Sequence, residues 1–377
     1  MKITKIRAYE VNLAFPEPSS ISYTPWKRVN SILVIVDTDA GLVGYGEAAP
    51  FKGITGDNYD ESLLFLKDFA RALIGKDPSD LDDVYSVFES VSRKAGFSSC
   101  TSMAAIDSAC YDVIGKTHGR PIYQVLGSEK PRLVPNTITI YLGPPEDTAE
   151  KARQLLTQYR KEGLSRIKLK LSGDPKLDFD RVRLVAKVHP GKITLDANQA
   201  YREPELAIDL LNSIYDELGS QVVLIEEPCP KKEFSKLKQV TEKSPIPVFA
   251  DESAATLDDI QRVIENSAAG GINLKLQKIG GIHLGLKAAR LASLSDIKIM
   301  VGCMMESGVG IAGGASFASG VENVSCTDLD TDLELRSDII TEDSRPSFTN
   351  GARVPSGKPG LGIQLTELTS RPVYTIE

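Results

Sequence analysis

Five short apolar segments, each closing on a charged residue and recurring every 24–30 residues, constrain this chain more than any other feature. They read Arg166-Ile-Lys168-Leu-Lys170, Ile193-Thr-Leu-Asp196, Val222-Val-Leu-Ile-Glu226, Val248-Phe-Ala-Asp251 and Ile272-Asn-Leu-Lys275. Each interval holds one strand, one helix and two loops, the period of a βαβ unit. In a parallel α/β barrel the C-terminal strand ends converge on one face, where active sites are built. Three acids, Asp196, Glu226 and Asp251, would then meet in one mouth between Lys168, Lys170 and Lys275. Singly, each is an ordinary cap or surface ion pair. Together, converging carboxylates require a counter-charge.

The period continues on both sides. Asn136–Leu142, 297–301 and 324–330 bring the count to eight strands. Upstream, residues 3–13 and 31–47 alternate apolar and polar and break at Asp39-Ala-Gly41, as in an antiparallel meander. A Pro/Ser-rich loop over 15–29 and a mobile surface loop over 48–58 are expected. Helical spacing runs over 59–74, 79–93 and 99–118, with Gly75, Gly96 and Gly119 near the ends. A further helix is expected from Pro145 to Glu162, stopped by Gly163. After residue 335 the pattern reverts to Gly/Pro punctuation and short β-like runs. The expected division is an α+β unit over 1–128, a barrel carrying the active site over 129–335, and a segment over 336–377 that returns to the first unit.

Composition narrows the chemistry. The net charge is -7 and no basic run occurs, which argues against nucleic acid or an anionic membrane as partner. Five cysteines, odd in number and without a C-x-x-C pair, indicate buried free thiols rather than a disulfide framework or a zinc cage. No apolar run reaches the length of a membrane span, and the N-terminus has no leader-like apolar stretch. A cytoplasmic enzyme is expected, as a homo-oligomer. The three histidines, His118, His189 and His283, fall at helix ends, where surface or capping roles are expected. No G-x-S-x-G or Walker loop is present. Carboxylates and lysines must therefore carry the reaction. Three hard oxygen ligands suit one octahedral Mg2+ per subunit, or Mn2+.

Gly308-Val-Gly310-Ile-Ala-Gly313 satisfies G-x-G-x-x-G, but residues 302–307 separate it from the preceding strand, whereas a dinucleotide fingerprint begins at the turn leaving the strand. Close helix packing, or backbone contact with an anionic substrate group at a helix N-terminus, is expected instead.

Lys168-Leu-Lys170, Leu195-Asp-Ala-Asn-Gln199, Ile225-Glu-Glu-Pro228, Ala250-Asp-Glu-Ser253 and Asn273-Leu-Lys275 resemble the enolase superfamily, muconate-lactonizing subgroup, over essentially the whole chain. Asp328-Leu-Asp330 and Met300–Glu306 resemble the dipeptide epimerases, which include L-Ala-D/L-Glu epimerase. The resemblance implies a modified (β/α)7β TIM-like barrel and an α+β capping domain formed by the N-terminal region and the C-terminal tail. It implies Mg2+ on Asp196, Glu226 and Asp251, and epimerisation of the C-terminal residue of a dipeptide. Lys170 and Lys275 would act as opposed bases in a 1,1-proton transfer through an enediolate, with lysine pKa values depressed by the dication. Lys168 would offset the substrate carboxylate, Asp328 and Asp330 would bind the free ammonium, and Thr139 would touch the substrate.

The position where Ala-Glu-specific relatives present an arginine reads Thr24, with Trp26, Lys27, Arg28, Phe51 and Lys52 nearby, so an acidic or apolar second residue is expected. The shared motifs also suit o-succinylbenzoate synthase or a muconate-type cycloisomerase. Lys275 could instead form a Schiff base as in an aldolase, or the cleft could bind a ligand without turnover.

Overall fold

The computed structural model describes residues 1–21 and 24–377, with the side chains of residues 17–27 outside the description. Strands β1 (Ile3–Ile21), β2 (Thr24–Thr38) and β3 (Val43–Ala48) form an antiparallel meander. The pairing of β1 with β2 continues to Ile21 opposite Thr24, so the loop expected over 15–29 is largely paired backbone. Its register breaks between Ala14 and Ser19, where Pro16 and Pro18 have no N–H to give the ladder.

Helices α1 (Tyr59–Leu73), α2 (Leu81–Ala95) and α3 (Cys100–His118) follow, then the short α4 (Ile122–Val125). Asn58 and Glu61 make a reciprocal capping box on α1, while Gly96 and Gly119 close α2 and α3 in the left-handed conformation. Ile6, Ala8, Val34 and Val36 from the sheet pack with Phe65, Phe69, Ala105 and Ala109 in a core of their own. Gly44 and Gly46 let β3 lie directly on α3, since a Cβ at either would strike the carbonyl of Ala109 or Ala105.

The barrel then runs β4 (Ile138–Ile140), α5 (Pro145–Gln158), β5 (Arg166–Lys170), α6 (Pro175–Val188), β6 (Lys192–Asp196), α7 (Pro204–Leu218), β7 (Val222–Glu226) and α8 (Phe234–Lys243). It continues with β8 (Val248–Ala250), α9 (Leu257–Glu265), β9 (Gly271–Lys275), α10 (Leu276–Ile279), α11 (Ile282–Leu294), β10 (Lys298–Gly302), α12 (Gly308–Gly320) and β11 (Val324–Asp328). Strands β4 to β11 pair in chain order, all parallel. The sheet closes on itself beside β4: Thr137 N donates to Thr327 O at 2.9 Å, and Thr327 N to Pro135 O at 2.9 Å. This is the (β/α)7β architecture: among the described residues the last strand is followed by no barrel helix. Ile167, Leu169, Ile193, Leu195, Ile225, Ile272 and Leu274 pack against the surrounding helices, leaving the alternate positions to face inward.

Helix α5 stops at Gln158, short of the expected Glu162. Tertiary contacts end it: Glu162 O accepts from Gly351 N at 2.7 Å, and Tyr159 stacks edge-on against Phe348, so the chain turns to meet the hairpin of β12 (Ser347–Thr349) and β13 (Ala352–Val354). The last strand, β14 (Tyr374–Ile376), pairs antiparallel with β1 and so joins the N-terminal sheet. Among the described residues no helix is long and apolar enough to cross a membrane.

Candidate active site

Strand register delivers the charged ends to one level. Lys170 lies opposite Asp196, Asp196 opposite Glu226, Lys275 opposite Gly302 and Gly302 opposite Asp328. One carboxylate oxygen from each of Asp196, Glu226 and Asp251 lies within 4.8 Å of the other two, and all three residues are buried. Four lysines surround them. Lys168 Nζ reaches Asp196 and Glu226 at 3.0 Å each and Asp328 at 2.5 Å. Lys170 Nζ lies 2.6 Å from Asp196, Lys275 Nζ 2.8 Å from Asp251, and Lys278 Nζ 2.5 Å from Asp251's other oxygen.

The electrostatics follow from burial and these contacts. Burial pushes Asp196 up, but Lys168 and Lys170 outweigh it and hold the carboxyl at about 2. Burial likewise pushes Asp251 up, and Lys275 and Lys278 together hold it well below the ordinary range. Glu226 is pushed up to about 8 by burial, against the pull of Lys168 and with the repulsion of Asp196. Burial lowers Lys168 and Lys275, yet their carboxylate neighbours hold both above the ordinary lysine range. Lys278 goes the other way: burial outweighs Asp251 and lowers it.

A cavity beside these groups is lined by Lys168, Lys170 and Lys275, by Thr139, Asp328 and Asp330, and by Phe51, Ile54, Tyr141, Asn198, Cys303, Met304, Met305 and Thr331. Asp328 divides its oxygens between Lys168 and the Thr137 hydroxyl at 3.0 Å, and Asp330 accepts from Thr139 N at 2.7 Å. Burial and the nearby Asp328 push Asp330 up to about 6. Thr24 and Trp26 have side chains outside the described residues. Lys52 does not line the cavity: it is exposed and paired with Glu61 at 2.6 Å. Arg28, also exposed, does not line it either.

Lys278 escaped the sequence reading, and several residues quoted there within motifs received no role. Lys278 stands three residues beyond Lys275, on the first turn of α10, and also donates to the carbonyls of Asp251 and Asn273. Asn273 donates to Glu226 at 2.7 Å, and its i, i+2 spacing from Lys275 was the signal for a shared inward face. Glu227 accepts from Asp251 N, Ser253 N and the Ser253 hydroxyl, fixing the loop that carries Asp251. Asn198, Gln199 and Glu227, just past the third and fourth strand ends, have positive φ, a strain that clusters at functional sites.

The glycine-rich segment opens α12, and that N-terminus is already occupied. Glu47 accepts from Ser307 N and Gly310 N at 3.0 Å, and Asp338 from Gly308 N at 3.1 Å. The protein's own acids take the place expected for a substrate anion, while Gly308, Gly310 and Gly314 serve close packing against Ile340, Glu306 and Leu329.

Residues 148–369 match the family described as enolase C-terminal domain-like, and residues 3–127 match the mandelate racemase/muconate lactonizing enzyme N-terminal domain. The chain belongs to the enolase superfamily. Among its relatives is the hydrophobic dipeptide epimerase of Enterococcus faecalis, 30% identical over 90% of this chain and 94% of that one. The structure of the Enterococcus faecalis dipeptide epimerase complexed with Mg and L-Leu-L-Tyr superposes with a TM-score of 0.88 at 29% identity, covering 96% and 99% of the two chains. The L-Ala-D/L-Glu epimerase of Clostridium acetobutylicum is 31% identical over 97% and 99%. The N-succinyl Arg/Lys racemase of Bacillus cereus is similar as well, with a TM-score of 0.91 at 28% identity over 100% and 99%.

Proposed function

We propose that this chain is a Mg2+-dependent epimerase that inverts the α-carbon of the C-terminal residue of a dipeptide. The observation that carries the reading is the meeting of three buried carboxylates with two lysines from opposed strands. Lys170 ends the second barrel strand and Lys275 the sixth. Four strands apart in an eight-strand barrel, they stand on opposite sides of anything bound between them.

Asp196, Glu226 and Asp251 fit a hard divalent cation: three oxygen donors close together, buried, with positions left for substrate. When bound there, Mg2+ supplies positive charge where negative charge develops on the substrate carboxylate as it becomes an enediolate. Lys170 or Lys275, as the free amine, takes the α-proton, and the other, as the ammonium, delivers a proton to the opposite face. The centre inverts. Lys168 offsets the substrate's carboxylate charge.

Asp328 and Asp330 receive the dipeptide's ammonium, with Thr139 beside them. An N-succinyl amino acid, an o-succinylbenzoate or a muconate brings no cation to that place, which is why dipeptides are preferred over these alternatives. Phe51, Ile54, Met304 and Met305 form an apolar wall, and among the described residues no arginine lines the cavity. Such a wall favours an apolar second residue. Residues 1–128, joined by β14, cap the site and 129–335 carry it, while the β12–β13 hairpin packs at the end of α5 away from the mouth. The free cysteines suit a reducing cytoplasm.

A dipeptide library incubated with Mg2+ in D2O, scored by mass spectrometry for deuterium at the C-terminal residue, tests the reading. Apolar L-Ala-L-Xaa members should exchange. Exchange confined to N-succinyl amino acids, or to no amino acid derivative at all, returns the chain to the racemase or cycloisomerase alternatives.

A further inference from the structure

The loop expected to be a mobile surface element, 48–58, is fixed at both ends by buried carboxylates. At its far end, Asp57 accepts from the hydroxyls of Thr55, Ser99 and Thr101 at 2.6, 2.5 and 2.7 Å. At its near end stands Glu47, the penultimate residue of β3, buried and, among the described residues, without an ion-pair partner. One oxygen accepts from the Ser31 hydroxyl at 2.6 Å and Ser307 N at 3.0 Å; the other from the Ser307 hydroxyl at 2.6 Å and from Ser307 N and Gly310 N at 3.0 Å. Gln277 completes the clamp, its amide donating to Glu47 O at 2.9 Å and accepting from Ala49 N at 3.1 Å.

The partners of this clamp are placed informatively. Gln277 lies two residues beyond Lys275, and Ser307 lies two beyond Met305, on the loop that forms the cavity's apolar wall. Between Glu47 and Asp57, the amides of Ile54 and Thr55 donate to Phe51 O, and Phe51 N to the Thr55 hydroxyl, a tight turn that presents Phe51 and Ile54 to the same cavity. We infer that Glu47 and Gln277 are positioning residues that hold the Phe51–Ile54 wall in register with the barrel and so set the bulk of the C-terminal side chain a dipeptide can carry. The specificity half of this inference rests on the proposed epimerase function; the clamp itself does not.

The partners of Glu47 also define the test. Its two oxygens accept from two serine hydroxyls and from Ser307 N and Gly310 N at the start of α12; the carboxamide of Glu47→Gln keeps one acceptor for these amides and can donate only to a hydroxyl, so the charge-assisted bonds to the helix N-terminus are weakened. Hydrogen exchange of amides 49–55 should accelerate at least ~tenfold in Glu47→Gln and in Gln277→Leu, with β5 and β6 unchanged. In turnover, KM for L-Ala-L-Phe should rise about tenfold with kcat within about threefold, while KM for L-Ala-L-Ala stays near wild type. Gln277→Leu stands in should Glu47→Gln fail to fold. Unchanged exchange over 49–55 in the variants overturns the clamp. Equal effects on both dipeptides, or a loss in kcat with KM intact, overturns the specificity role. Wild-type protein inactive on every dipeptide sinks the function and the specificity role together, and the exchange arm still decides the clamp.

Discussion

Replacing Lys168 by methionine probes the organisation of the site without requiring a substrate. Its ammonium, 1% exposed, touches Asp196, Glu226 and Asp328 at 2.5 to 3.0 Å. Removing one partner of a buried ion pair costs about 3–5 kcal/mol, because the charge left behind is uncompensated. For 377 residues the unfolding entropy is roughly 0.8 kcal/mol/K, so Lys168→Met should lower the apparent Tm by about 4–6 °C in chelator. Mg2+ at one hundred times its Kd adds about 2.7 kcal/mol, or about 3 °C, to the wild type. In Lys168→Met the gain should be larger, since the cation then supplies charge compensation that Lys168 otherwise gives to Asp196 and Glu226. Thermal unfolding by circular dichroism across a Mg2+ titration and in EDTA reads both quantities. A loss below about 1 °C, or a Mg2+ gain in the variant no greater than in the wild type, would refute the account of three carboxylates sharing one internal cation.

Changing Lys170 or Lys275 to alanine should each reduce epimerisation by ~10²–10⁴-fold. Each single variant should still exchange the α-proton of one epimer in D2O, and full inversion by either would end the two-base arrangement. Asp251→Asn should weaken Mg2+ binding, read by calorimetry, by more than about tenfold, since loss of outer-shell partners alone costs that much; unchanged affinity would remove Asp251 from the metal site. Because burial and Asp328 raise Asp330 to about 6, its negative charge is lost as pH falls through that value. KM for a dipeptide should accordingly rise below pH 6, and Asp330→Asn should flatten the profile; a KM independent of pH between 5 and 8 in the wild type contradicts a role in holding the ammonium.

The barrel and the identity of its mouth were legible from the chain because both rest on local periodicity. A strand alternates its faces with a period of two residues, so a charge at the end of Ile193-Thr-Leu-Asp196 or Ile272-Asn-Leu-Lys275 declares its face without knowledge of neighbours. The βα period then places such ends on one rim. The paired course of β1 and β2 through 15–29 was hidden, because prolines and serines read as a loop until a partner strand offers the remaining amides a ladder. The early end of α5 was hidden as well, being decided by Gly351 and Phe348 nearly two hundred residues away.

The tertiary structure alone decided who neutralises whom. Lys278 could have been any solvated helix residue, and only the turn of α10 beneath the mouth brings its ammonium to Asp251. Glu47 reads in sequence as one polar residue of a strand, and the N-terminus of α12 as an anion site; folding joins the two across 260 positions and satisfies both. Periodicity is a property of the backbone and travels with the local sequence. Compensation of buried charge is set by distances of a few ångströms between segments remote in the chain, and those distances exist only once the barrel has closed and, for Glu47, once the N-terminal unit has packed on it.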